Sequence, residues 1–306
     1  MKLSRILCLL IAIMTELASI ASTDFNANKY RQDFMTISTV PLIATASTSA
    51  FFGTGFYYLV PHPTDPSKCQ IVIMTNKHVL DGKDNLIIMC PVSDNGKPKP
   101  GDYETFTIPQ PFNNAYKHPS NDVDLCAIPI TQLLEAARQR GRTILYAPYT
   151  SNLLADDKCY DDLRQLDTAV MIGYPSALKD NINQQPIFRT GTFATNPSLD
   201  FQGRQEFVLD IPNYGGSSGS PIVLFDEGKH WKHEGFNNAA MVMGSRFKLL
   251  GVNYAYHTAK NDGAVTLPTP TPITLPVESR IPNNTAFVIK ASRIKELEGR
   301  IQQGVR

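Results

Sequence analysis

Gly215-Gly216-Ser217-Ser218-Gly219-Ser220-Pro221 stands between two apolar runs, Phe207-Val208-Leu209 before it and Ile222-Val223-Leu224 after it. Short apolar runs closed off by glycine and proline read as strands joined by a tight turn. Glycine on either side of a serine frees the backbone for positive φ and clears the space in front of the hydroxyl. Such a turn can aim its N–H groups at one point. Nucleophilic attack on a carbonyl needs those two things together, a hydroxyl in reach of carbon and donors where the oxygen becomes negative. The same composition also suits a plain hairpin turn, so the reading depends on partners elsewhere in the chain.

Two upstream segments supply them. Ile71-Val72-Ile73-Met74-Thr75-Asn76-Lys77-His78 reads as a buried strand ending at a histidine, a rigid seat for a general base. Asn121-Asp122-Val123-Asp124-Leu125-Cys126-Ala127-Ile128 sets a carboxylate at the mouth of a second apolar strand. Histidine, aspartate and serine thus follow in that order.

These motifs resemble those of the trypsin-like (chymotrypsin-fold, S1-type) serine proteases, nearer the bacterial branch with the HtrA-type enzymes than the digestive trypsins. Thr75-Asn76-Lys77-His78 stands where the family has Thr-Ala-x-His, Asp122-Val123-Asp124-Leu125 where it has Asp-Ile-Ala-Leu, and Gly216-Ser217-Ser218-Gly219-Ser220-Pro221 where it has Gly-x-Ser-Gly-Gly-Pro. Gly53-Thr54-Gly55-Phe56, Ile172-Gly173-Tyr174-Pro175 and Leu250-Gly251-Val252-Asn253 fall in the family's order too, so the resemblance runs from about residue 35 to 300.

The resemblance implies an all-β fold of two six-stranded antiparallel β-barrels with the active site between them, a short interbarrel helix and a C-terminal helix. The peptidase domain would span residues 30–300, with barrels at about 35–130 and 165–290. His78 would be the base, Ser218 the nucleophile and Asp122 the carboxylate behind the histidine, with the N–H groups of Gly216 and Ser218 forming the oxyanion hole. Asp124 is the competitor, on the same face in a regular strand. Asp122 is preferred because it sits at the strand mouth after Asn121. The substrate pocket would involve Pro212, Tyr254, Ala255, Tyr256 and His257. Pro212 occupies the place of the trypsins' pocket aspartate, so selection of Arg or Lys is not supported, and His257 could recognise Gln or Glu. Ser217 replaces the aspartate that pairs with a new N-terminus in digestive-type trypsins, so that activation route is not expected. A stand-alone protease domain follows, without a PDZ-sized extension, acting on a protein or peptide and using no metal or cofactor. The alternative is a catalytically silent binding protein on the same scaffold.

Composition sets outer limits. Of 306 residues, 42% are hydrophobic and 19% charged, ordinary for a globular chain, and a net charge of +1 gives no basic field for nucleic acid. Lys2 and Arg5, the apolar stretch Ile6 to Met14 and the small-x-small site Ser19-Ile20-Ala21 have the layout of a secretory signal over residues 1–21. A secreted or periplasmic protein with no membrane span after signal removal is expected. Without Cys8, four cysteines remain. Cys69 and Cys90, flanking the histidine hairpin on neighbouring strands, are the expected disulfide, and Cys126 reads as a buried thiol. His118 reads as an exposed loop histidine, and His230-Trp231-Lys232-His233 as a solvated loop rather than a metal site.

Strand-like runs recur at Phe51 to Val60, Gln70 to Met74, Leu86 to Cys90, Cys126 to Ile130, Ala169 to Ile172, Glu206 to Ile211, Ile222 to Phe225, Leu249 to Asn253 and Thr285 to Ile289. Helical spacing is confined to Thr131 to Arg140, stopped by Gly141, and Ser292 to Gln303. Val265 to Val277, with four prolines, cannot be an internal strand and reads as an insertion between the last two barrel strands.

Overall fold

The computed structural model of the chain describes residues 25–65, 67–178, 180, 182–183, 185–233, 239–267 and 273–304. The predicted signal segment 1–21 lies outside them. Helix α1 (Phe25–Ile37) leads into β1 (Thr39–Ala46), β2 (Ser49–Pro61), β3 (Cys69–Thr75), the one-turn helix α2 (Lys77–Leu80), β4 (Asn85–Asp94), β5 (Lys97–Pro109), β6 (Tyr116–Lys117) and β7 (Cys126–Pro129). These strands form one antiparallel sheet in the order β5-β4-β1-β2-β3-β7-β6. A six-stranded barrel is expected from the sequence; the sheet instead has seven strands, ending in the two-residue β6 on one side and β5 on the other. β5 carries Pro98 and Pro100, which an edge strand tolerates because its outer N–H groups have no ladder to join. β4 shows the period of two that a sheet requires. Leu86, Ile88, Cys90 and Val92 point inward, to pack with Val40, Leu42, Ile71 and Ile73.

Helix α3 (Thr131–Gln139) follows, ended by Gly141 at φ +75°, and then α4 (Asp157–Asp161), whose first turn is capped by the Asp156 side chain accepting from the Cys159 N–H. The C-terminal half comprises β8 (Thr168–Gly173), β9 (Ile187–Phe193), β10 (Glu206–Asp210), β11 (Pro221–Asp226), β12 (Lys229–His233), β13 (Ala239–Met243), β14 (Arg246–Ala255), β15 (Thr258–Leu267), β16 (Ile273–Pro282), β17 (Thr285–Lys290) and α5 (Ala291–Gly304). Six of its strands close a barrel, β10-β17-β14-β11-β8-β9, while β12-β13 and β15-β16 form separate two-stranded ribbons. In α5 the positions Ile294, Leu297 and Ile301 are buried, as their helical spacing predicts. The second face of the N-terminal sheet, with Phe56, Tyr58, Val72 and Met74, shares one continuous apolar cluster with Phe207, Leu209 and Ile222 of the barrel and with those α5 residues.

Several expectations are corrected. Cys69 does not pair with Cys90: β1 and β2 lie between β3 and β4, and Cys90 is a buried free thiol 3.3 Å from the Tyr57 hydroxyl. His118 is buried, because the loop carrying it tucks beneath α5. The histidine-rich segment is not a loop but strand β12, paired with β13. The proline-rich insertion does lie between β14 and β17, but its described residues form the paired strands β15 and β16; Pro268, Pro270 and Pro272 fall outside the described residues. Among the described residues no helix is long and apolar enough to cross a membrane.

Candidate active site

β3 ends at Thr75, and the chain turns through Asn76 into α2, which carries His78. Three bonds lash this corner to the segment before β7. Asn76 Nδ2 donates to the Asp124 carbonyl (2.7 Å), Lys77 Nζ to the Ser120 carbonyl (2.9 Å), and the His78 backbone N–H to Asp124 Oδ1 (3.1 Å). The second carboxylate oxygen, Oδ2, lies 2.5 Å from His78 Nδ1. One carboxylate therefore holds both the backbone and the ring of the histidine. Burial pushes the Asp124 carboxyl up, but the His78 ring and the N–H groups of His78 and Lys77 outweigh it and hold the group below its ordinary value.

The carboxylate on His78 is thus Asp124 and not Asp122, which corrects the choice made from sequence. A regular strand puts both aspartates on one face, but β7 begins only at Cys126. Before it, the Leu125 N–H bonds to the Val123 carbonyl (2.9 Å), a three-residue turn with Asp124 at its apex. The turn swings Asp124 toward His78 and leaves Asp122 exposed, with its carbonyl accepting from Arg204 Nη2 at 3.3 Å. His118 supports the same loop from below: its N–H donates to the Leu125 carbonyl, its Nδ1 accepts from the Ser120 N–H (3.1 Å), and its Nε2 lies 3.2 Å from Glu296 of α5. Burial lowers the His118 pKa against the pull of Glu296, favouring the neutral ring.

The serine turn needs its glycines. Gly216 has φ +91° and Gly219 φ +87°, and a Cβ on Gly219 would stand 2.0 Å from the Thr54 carbonyl oxygen. Of the three serines, Ser217 and Ser220 are 1% and 0% exposed, whereas Ser218 reaches solvent. Among the described residues the N–H groups of Gly216 and Ser218 have no acceptor, while those of Ser217, Gly219 and Ser220 do.

Thr54 on β2 ties this turn to the histidine corner. Its N–H donates to the Ser218 carbonyl (2.8 Å), its hydroxyl donates to the Gly216 carbonyl (2.9 Å) and accepts from the Tyr174 N–H (3.0 Å), and its carbonyl accepts from the Thr75 hydroxyl (2.8 Å). A Cβ on the neighbouring Gly53 would stand 2.7 Å from Val79 Cγ1, so β2 runs directly beneath α2. Neither the Ser218 hydroxyl nor His78 Nε2 is hydrogen-bonded among the described residues; such contacts are often long before substrate binds.

β14 backs the turn. Asn253 accepts from the Gly219 N–H (2.8 Å), donates its own N–H to the Ser220 carbonyl (2.9 Å), and sends Nδ2 to the Ser217 carbonyl (2.9 Å). Its Oδ1 accepts from the buried Asn213, whose Nδ2 also reaches the Ala255 and Thr285 carbonyls. Next along β14, Tyr254 gives its hydroxyl to Glu206 (2.8 Å), and Glu206 pairs with Arg204 (2.8 Å). Pro212 is exposed, and its carbonyl accepts from Arg189, whose guanidinium lies over the Tyr214 ring. Tyr256 is partly exposed, and the exposed His257 offers Nδ1 to Asn283 Nδ2 (3.0 Å). Sequence reasoning missed Asn213, Arg189, Arg204 and Glu206, none of which lies in a motif. Asn213 stands five residues before Ser218 and reaches the serine turn through Asn253. Among the described residues no cluster of His, Cys, Asp or Glu could hold a metal ion.

A family model described as the trypsin-like peptidase domain matches residues 53–230, more than half of the chain. This chain belongs to that family. The family is one of serine endopeptidases, hydrolases of peptide bonds. Solved structures similar to this trypsin-like peptidase include an HtrA-type protease with tripeptide (14% identity, 90% of this chain and 63% of that one, TM-score 0.48). Others are a thermostable serine protease, AL20, from an extremophilic microorganism (12% identity, 88% and 98%, TM-score 0.47) and the serine endoprotease from Yersinia pestis (14% identity, 88% and 65%, TM-score 0.42). The chain thus spans less than two thirds of the length of the HtrA-type protein. No curated relative matches it.

Proposed function

We propose that the chain is an active, exported serine endopeptidase with Ser218 as nucleophile, His78 as general base and then acid, and Asp124 orienting His78. The observation that carries this reading is the double hold of Asp124 on the backbone N–H and the ring Nδ1 of His78. With Nδ1–H engaged, Nε2 is left as the acceptor a serine hydroxyl requires. Ser218 Oγ attacks the scissile carbonyl carbon as His78 Nε2 takes its proton, and the oxygen that becomes negative meets the N–H groups of Gly216 and Ser218. Asp124 steadies the imidazolium without accepting the proton. His78 then protonates the leaving amine, and the acyl group remains as an ester on Ser218. Water attacks the ester as His78 takes its proton; the bond from the acyl carbon to Ser218 Oγ breaks, Oγ recovers the proton from His78, and the acid product leaves.

In this reading the N-terminal sheet is the counterpart of the family's first barrel, and the site lies between the halves of a domain over residues 30–300. Pro212, Tyr254, Ala255, Tyr256 and His257 border the substrate pocket. The neutral Asn213–Asn253 pair behind it offers no counter-charge to Arg or Lys. Residues 1–21 serve as an export signal, and the substrate is a protein or peptide in the periplasm or medium.

The test is a mature form starting at Ser22, beside Ser218→Ala. The reading requires casein cleavage and fluorophosphonate labelling at Ser218 by the first protein and neither by the second. Failure of Ser218 to label overturns it.

A further inference from the structure

Between β14 and β17 the chain leaves the barrel as the β15-β16 ribbon, ten residues in each strand. Pairing sets Ala259 opposite Ile281, Gly263 opposite Val277 and Val265 opposite Leu275. Side chains alternate along a strand, so the odd-numbered residues share one face: Ala259, Val265, Val277 and Ile281, with the uncharged Asn261 and Ser279. The charged residues of both strands fall on the other face. There Lys260 pairs with Asp262 (3.2 Å) and Glu278 (3.1 Å), and Arg280 with Glu278 (3.2 Å). On the uncharged face Val265, Val277 and Ile281 are 50%, 43% and 51% exposed. A two-stranded ribbon with a bare apolar face is marginal in water, and such a face marks a contact surface.

The ribbon is anchored on the candidate site. Asn253, five residues before Thr258 in sequence, bonds to Ser217, Gly219 and Ser220 of the serine turn, and the Ala255 carbonyl is held by Asn213. The base is clamped by the His257 N–H on Thr285 Oγ1 (3.1 Å), the Asn283 N–H on the His257 carbonyl (3.2 Å) and the His257–Asn283 side-chain bond.

We infer that the uncharged face of this ribbon docks the substrate itself: an extended polypeptide segment with apolar side chains at alternate positions, held outside the pocket while its scissile bond lies at Ser218. The inference rests on the peptidase reading. Six residue steps separate Ala259 from Val265, about 20 Å at ~3.3 Å per residue, which matches roughly six residues of extended chain. The base clamped beside the serine turn favours a substrate over a second copy, and the oligomeric state of wild type against the double variant decides between the two. A membrane is a poor occupant. The face has no Trp, Tyr, Lys or Arg to sit among headgroups.

The experiment uses the full mature chain, a Val277→Lys/Ile281→Lys double variant, and Lys260→Gln on the opposite face as control. Probes are a fluorescent peptide of about 20 residues spanning a casein cleavage site with alternating apolar residues, and a tripeptide ester ending in that site's residue. The double variant is expected to lose tenfold or more in kcat/KM on the long peptide and in its affinity for the Ser218→Ala background. The ester, fluorophosphonate labelling and the Lys260→Gln enzyme should be unchanged. Equal handling of the long peptide, equal loss on both probes, or a wild-type dimer that the double variant dissociates would each overturn the docking surface. If the wild type cleaves nothing yet Ser218→Ala binds the long peptide through this face, docking stands and the peptidase reading falls. Normal cleavage by an indistinguishable double variant has the reverse meaning.

Discussion

Asp124 concentrates two tasks in one carboxylate, fixing the His78 backbone through Oδ1 and its ring through Oδ2. Replacing it with asparagine removes the charge and allows the wrong imidazole tautomer, so Asp124→Asn should lower kcat by about 10⁴-fold. Asp122→Asn, on an exposed side chain, should leave turnover near wild type. Steady-state kinetics of the pair, with fluorophosphonate labelling as a second readout, decides between them; the opposite ranking would restore Asp122. The carboxyl also titrates in a defined direction. Its folded pKa lies below its ordinary value, so the stability it contributes is fully present above ~3.9 and is lost as pH falls through the lower folded value. Carbon-13 NMR of the Asp124 carboxyl should give a midpoint under ~3.9, and Asp124→Asn should flatten the stability profile in that acid window. The sequence made the histidine and the serine legible because each follows or sits in a motif with its own backbone demand. It hid the choice of aspartate because both were placed on one face of a regular strand, which begins only at Cys126, two residues beyond Asp124. The bond from Leu125 to Val123 makes a turn where a strand was read, and nothing in Asp-Val-Asp-Leu announces it.

Strands that alternate, such as β4, and helices that carry an apolar stripe, such as α5, were readable because half their side chains must leave water. Elements whose formation depends on neighbours were not. β5 is rich in charge and proline and is a strand only because β4 offers it an edge, and α1 contributes Phe34 and Met35 to the core without a clear helical period. Contacts between elements carry their own predictions. Thr54 bridges β2 to both the serine turn and the Tyr174 segment through one hydroxyl. Thr54→Val keeps the shape but removes the hydroxyl's bonds to the Gly216 carbonyl and the Tyr174 N–H, and the buried Gly216 carbonyl left unmatched costs roughly 1–3 kcal/mol. Urea unfolding should show that loss, and fluorophosphonate labelling should slow with it. Between α5 and β2, the Tyr58 hydroxyl donates to the buried Glu298 carboxylate, and burial raises the Glu298 pKa despite that bond. A carboxyl whose folded pKa is raised favours the folded state below its unfolded value of ~4.3, an advantage lost as pH rises through the folded value. Glu298→Gln keeps an acceptor for Tyr58 and has no such loss. Its Tm relative to wild type should therefore climb between about pH 4 and neutrality; a difference independent of pH would show that Glu298 is not held protonated.

For the molecule as a whole, the decisive feature is that the N-terminal sheet has two cores. One face packs on itself around Leu42, Ile73 and Ile88, while the other continues into the barrel through Phe56, Tyr58 and Met74. The order of the motifs revealed two halves, but not a seven-stranded sheet or this shared core, since neither depends on any local pattern. A continuous apolar cluster means that neither half can open without exposing the face it shares with the other, so the chain should unfold in one transition. The cysteines can report on this. Cys90 belongs to the sheet's own core, and burial lifts its thiol to about 12; Cys159 packs against the shared cluster, and burial lifts its thiol to about 11. Both should react slowly with a disulfide reagent near pH 8, because little thiolate is present and access is poor. In rising urea, Cys90 and Cys159, assigned by peptide mapping, should become reactive at the same midpoint, coincident with loss of fluorophosphonate labelling at Ser218. Exposure of Cys159 well before Cys90 would mean that the barrel opens while the sheet persists, and that the shared cluster does not couple them.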